Sequence, residues 1–188
     1  MDIDDGSWKR KAGGNNYREF PLCCKLPSSL FHHLTFNFQP NHYICIMFSK
    51  QEAQQLKKEF WTAFGKSFPR KWILYDTKVK DFSFKFYADN KKAEVSLDIE
   101  MKDEVYRDAY YNKIWSLEDI LKDFIGDFQK EEHFTLENGK VISKIWVEKH
   151  NVSIFNKNTW QEIFEFFVEK MDGFERFYYE YEDFIKDV

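Results

Sequence analysis

FSFKFYADNKKAEVSLDIEMK, residues 82–102, is the stretch whose reading decides the fold. Phe82, Phe84 and Phe86 alternate with Ser83, Lys85 and Tyr87. After the polar link Asp89-Asn90-Lys91-Lys92 the alternation resumes, with Ala93, Val95, Leu97, Ile99 and Met101 against Glu94, Ser96, Asp98, Glu100 and Lys102. A period of two sends successive side chains to opposite faces, so both runs read as strands with one apolar and one polar face. The short link makes them a hairpin. The polar set of the second strand is expected to be a solvated face.

Upstream, Ser49 followed by Glu52 has the form of a capping box. Ala53, Leu56, Phe60 and Phe64 then recur at spacings of three and four, and Gly65 is the expected C-terminal cap. Pro69 separates this helix from Trp72–Thr77, which reads as a strand. Downstream, Tyr110, Ile114, Leu117, Leu121, Phe124 and Phe128 predict one helix. Asn138-Gly139 then turns a second hairpin between 134–136 and 141–147. Thr159 with Glu162 repeats the capping pattern, and Trp160, Phe164, Phe167, Met171, Phe174, Tyr178, Tyr181 and Ile185 predict a final helix of roughly 40 Å, with Gly173 its weak point. The order helix, three strands, helix, two strands, helix predicts an α+β domain: an antiparallel sheet with helices packed on one face.

A chain of 188 residues, 43% hydrophobic and 20% aromatic, suffices for one core and not for two ordinary domains. Residues 1–46 differ in character: all three cysteines (Cys23, Cys24, Cys45), three of the four prolines and the pair Gly13-Gly14 fall there. They are expected to be a poorly structured leader, with the single domain occupying 47–188. Net charge is −4, and the leader carries one more basic than acidic residue, so the domain gives no general field for a polyanion. No apolar run approaches the roughly 20 residues that cross a bilayer. A cytoplasmic protein with no membrane partner is the expectation, and the lack of cysteine after Cys45 agrees with a reducing compartment.

SKQEAQQLKKEFWTAFGKSFPRKWILYDTKVKDFSFKFYADNKKAEVSLDIE, with LENGKVIS, TWQEIFEFF and FYYEYEDFIKD further on, resembles a bacterial domain-of-unknown-function family, number 4268 of that series, over Met47 to Val188. The family has no assigned activity to carry over. Larger members that look similar here join this region to nuclease-like or restriction-associated domains, which implies a place near DNA metabolism or defence.

Three sets of residues are candidates for function. Glu100-Met101-Lys102, with Asp89, Asp81 or Asp76 as second carboxylate, matches what a Mg-dependent nuclease of restriction-enzyme type needs: two carboxylates on the ion and a lysine beside the attacking water. Asp89, Glu100 and Lys102 are the catalytic set of that alternative, and no cofactor is expected otherwise. Lys66, Arg70, Lys71, Lys78, Lys80, Lys85, Lys91 and Lys92, interleaved with Phe68, Trp72, Tyr75 and Tyr87, mix cations and rings as nucleic-acid surfaces do; the acids from Glu175 to Asp187 are expected far from any phosphate there. Finally, Ile163, Phe166, Phe177 and Phe184 widen the apolar band of the last helix, and Phe177, Tyr181 and Phe184 are the expected exposed share, facing a protein partner or a second copy. In the leader, Cys23, Cys24, His32, His33, His42 and Cys45 include only one pair, His42 with Cys45, at zinc-knuckle spacing, so no metal site is expected. The leading expectation is a non-enzymatic interaction or accessory module that binds through Trp72, Lys85, Tyr87 or the last helix.

Overall fold

The computed structural model describes residues 49–188; the expected leader and its cysteines and histidines lie outside the described residues. Helix α1 (Lys50–Ser67) starts on the expected capping box, Ser49 Oγ accepting from Glu52 N–H and the Glu52 carboxylate accepting from Ser49 N–H. It runs through Gly65 and stops at Phe68, one residue before Pro69, which disfavours helical backbone in the residue ahead of it. Strands β1 (Phe82–Ala88) and β2 (Lys92–Ile99) form the expected hairpin. Helices α2 (Glu104–Trp115) and α3 (Glu118–Ile125) lead to the second hairpin, β3 (Gln129–Thr135) and β4 (Val141–His150). A 3₁₀ turn at Lys157–Thr159 precedes α4 (Trp160–Glu180) and the short α5 (Glu182–Lys186).

The fold is α+β, a four-stranded antiparallel sheet in the order β1-β2-β4-β3. The strands divide two and two, because Trp72–Thr77 is not a strand. Leu74 (φ 33°), Lys78 (φ 61°) and Asp81 (φ 59°) take left-handed backbone, which no ladder accommodates. The segment instead runs beside the β1 edge, giving it one backbone bond, Phe84 N–H to Leu74 O at 2.9 Å.

Two other expected elements are subdivided. The single helix over Tyr110–Phe128 is α2 and α3, joined at Ser116-Leu117, where Ser116 Oγ bonds back to Lys113 O and Leu117 leaves helical angles. Gly126, at φ 78°, then ends α3, so Phe128 lies outside the helix. The last helix breaks at Tyr181, leaving α4 with 21 residues and a length of about 31 Å. Its second capping box does not form: the Thr159 hydroxyl is engaged with Ser153 and Asn156, and Glu162 pairs with Lys149 at 2.9 Å.

One face of the sheet carries the core. Phe82, Phe84, Val95, Leu97, Ile99 and Ile145 are buried there beneath α4, α1, α2 and α3. Phe60 and Phe64 of α1 meet Phe164 and Phe167 of α4 with ring centroids 5.1–6.3 Å apart, and Phe84 meets Phe174 at 5.5 Å. Three of the four residues that widened the band of the last helix are packing, since Ile163, Phe166 and Phe177 are buried, while Phe184, in α5, is exposed. Gly173 is what permits this. A Cβ there would sit 2.5 Å from Phe124 O and 2.9 Å from Ile125 Cγ2, so α3 touches α4 where only a hydrogen fits.

Candidate functional site

The face of the sheet that no helix among the described residues covers holds the charged candidates. Register places Ser83 and Lys85 of β1, Glu94, Ser96 and Asp98 of β2, and Lys144, Trp146 and Glu148 of β4 side by side. The expectation of a solvated strand face is corrected here. Glu94, Ser96 and Asp98 are only 3–5% exposed, because β2 is central and its neighbours fold long side chains across it. Lys144 Nζ lies 2.6 Å from Glu94 and Lys92 Nζ lies 3.0 Å from it; Lys92 also reaches Glu148 at 3.1 Å. Trp146 Nε1 donates to Glu148 at 2.6 Å, and His150 approaches the same carboxylate at 3.2 Å. Lys144 additionally lies over the rings of Phe134 and Trp146.

At the far end of the strand, Lys85 bonds Asp98 at 3.0 Å and also Glu100, whose other oxygen takes Lys140. Burial acts to raise the Glu100 and Glu148 pKa values, but Lys140 and Lys85 outweigh it at Glu100, the Trp146 N–H followed by Lys92 outweighs it at Glu148, and both lie below the usual carboxylate range. Burial likewise opposes the charge on Lys85 and Lys92, yet their carboxylate partners win and both are raised. The face is thus a self-neutralised lattice of cations laid over carboxylates.

Of the nuclease set, Asp89 lies in the β1–β2 turn, where its carboxylate accepts from Lys91 N–H, Lys92 N–H and the Tyr87 hydroxyl. Glu100 lies beyond the opposite end of β2, roughly 25 Å away at about 3.3 Å per residue. Asp81 is the aspartate opposite Glu100, through Glu100 N–H to Asp81 O at 2.7 Å. Lys102 is exposed past the strand end. No group of three or more His, Cys, Asp or Glu among the described residues is placed to hold a metal ion.

The 68–81 segment is built differently. Arg70 stacks 3.7 Å over Trp72 and pairs with Asp172 at 2.7 Å and with Glu175. Glu175, on the buried side of α4, also accepts Ile73 N–H at 2.7 Å. Thr77 is fully buried, its hydroxyl donating to Phe82 O, while the Tyr178 hydroxyl of α4 donates to Thr77 O. Between these anchors Asp76 N–H closes a tight turn on Ile73 O at 2.6 Å. Tyr75 stands at its tip, 68% exposed, next to the left-handed Leu74. Lys71 and Lys78 bracket the tip through Asp76, whose pKa they lower to about 2.

The family described as Domain of unknown function (DUF4268) matches residues 56–182. The chain belongs to that family. No curated protein and no solved structure matches it. The matched span takes in the whole sheet, the 68–81 segment and the α4 residues that anchor it, and it stops before Phe184.

Of the remaining expected binding residues, Tyr87 is half exposed beside Asp89, and burial followed by the Asp89 charge pushes its pKa up to about 12. Trp72 is half-buried under Arg70. Phe177 is 1% exposed, packed on Phe124 and Tyr181, which corrects its expected place on the surface. Tyr181 is partly covered, and Phe184 is exposed with Lys113 over its ring. The acids expected far from the basic segment, Glu175 to Asp187, are not all remote from it, since Glu175 pairs with Arg70. Sequence reasoning missed the buried role of Glu175 and Thr77. The signal for Glu175 was its place in the apolar band of the last helix, one residue after Phe174 and two before Phe177.

No helix among the described residues is long and apolar enough to cross a membrane.

Proposed function

We propose that the chain is a non-enzymatic interaction module of the bacterial cytoplasm that engages a macromolecular partner through the turn at residues 73–76. The observation that carries this reading is an exposed tyrosine on a strained yet anchored turn. Left-handed backbone at a branched residue such as Leu74 costs on the order of 1–3 kcal/mol and persists only where surrounding bonds hold it. Here Glu175, Thr77 and Tyr178 supply those bonds from beneath. A ring held out by a rigid turn loses little conformational freedom on binding, which favours affinity. The carboxylates and lysines of the sheet face, by contrast, already pair with one another, although one buried Asp98 oxygen, Oδ1, has no hydrogen-bond partner among the described residues.

Placing a photo-crosslinking benzoylphenylalanine at Tyr75 tests this, with exposed Gln161 of α4 as the control position. A discrete adduct from position 75 and none from position 161 is expected in the native host. Equal or absent adducts from both would overturn the reading. Cleavage of DNA or RNA by the wild type that disappears in Glu100→Ala would replace it with the Mg-dependent nuclease alternative.

A further inference from the structure

We infer that the partner of this turn is a single-stranded nucleic acid, a statement that rests on the docking reading above and adds the chemistry of the occupant. Residues 66–80 contain Lys66, Arg70, Lys71, Lys78 and Lys80 against one acid, Asp76, inside a chain whose net charge is −4. Arg70 is consumed by Asp172 and Glu175. The four lysines are exposed, and with Asp76 they leave a local excess of positive charge around the turn. Lys71 and Lys78 keep side-chain exposures of 77% and 68% while touching Asp76, so a phosphate can replace that carboxylate without unburying anything.

The aromatic part is equally specific. Tyr75 is 68% and Tyr179 61% exposed, two of the largest exposures of any large apolar or aromatic residue described. They come from different elements. The Tyr178 hydroxyl bond to Thr77 O brings this end of α4 against the segment, and Tyr179, whose ring is 6.0 Å from that of Tyr178, lies within electrostatic reach of Lys71. Unshielded rings beside lysines suit unpaired bases, which stack on an aromatic face while the phosphates meet cations. A duplex keeps its base faces to itself, and an acidic peptide has no use for the rings. The acids Glu180 and Glu182, next along the chain, limit the path to the side of Tyr179 nearer Lys71.

Fluorescence anisotropy of the full chain with a fluorescein-labelled 12-nucleotide single strand of mixed sequence tests the inference, against the same sequence as duplex and against a labelled oligoglutamate. Binding to the single strand is expected, weakening as salt rises. Tyr75→Ala should weaken it at least about tenfold, as the loss of one stacked base would, while Tyr75→Phe retains it. Lys71→Gln with Lys78→Gln should flatten the salt dependence. No single-strand binding at low salt, equal binding of the duplex, or an affinity indifferent to Tyr75→Ala overturns the inference. Preference for oligoglutamate overturns it in favour of an acidic protein. A crosslink from position 75 without oligonucleotide binding leaves the docking reading standing and this one fallen; the absence of both removes both.

Discussion

On one face of β2, Ala93, Val95, Leu97 and Ile99 lie under helices; on the other, Glu94, Ser96 and Asp98 are almost as inaccessible with no helix over them among the described residues. The first face is closed by rings from α1 and α4, the second by lysine stems and one tryptophan. The stabilisation differs accordingly. Each large apolar side chain removed from water contributes about 1.5–3 kcal/mol. A buried ion pair gives back most of its attraction as desolvation, so the lattice is nearly neutral when complete and costly when one member is lost. The comparison teaches that burial alone does not say what holds a strand.

The sharpest break in that comparison is on the aromatic face. Phe84→Ala, which removes a ring packed on Phe174, Tyr178 and Phe82, is expected to cost about 3–5 kcal/mol by chemical denaturation. On the lattice face, Lys144→Ala leaves Glu94 with Lys92 alone and should cost about 2 kcal/mol. Adding Glu94→Gln in the same chain should recover much of that loss, whereas no polar second change rescues Phe84→Ala. Smaller again is Glu100→Ala, at about 1 kcal/mol, because Lys85 retains Asp98 and Lys140 is partly exposed.

The mildest probe is pH. Glu100 and Glu148 have folded pKa values below 4.5, so their contribution is present above that value and is lost as pH falls through the folded values. Lys85 and Lys92 are raised above 10.5, and their contribution is lost only as pH rises beyond that. Thermal melts should therefore show a plateau between about pH 5 and 10 that falls on both sides. A pH optimum inside that window would contradict the ion-pair account.

The strands, their pairing and the side of the sheet that faces the helices were legible in residues 82–102, since period two fixes faces without reference to anything distant. The capping box at Ser49 and the Asn138-Gly139 turn were legible for the same reason: their partners lie within three residues. Family membership is equally a property of the residue string. What tertiary structure alone decided was which polar residues are buried. Glu94 and Asp98 looked solvated because the sequence does not say that β4 will pair with β2 and lay Lys144 across it. Trp72–Thr77 looked like a strand because Glu175 and Tyr178, about a hundred residues on, are what bend it into left-handed backbone and leave Tyr75 in water. A local pattern fixes the direction of a side chain; the elements that cover it come from elsewhere in the chain, and only packing brings them there.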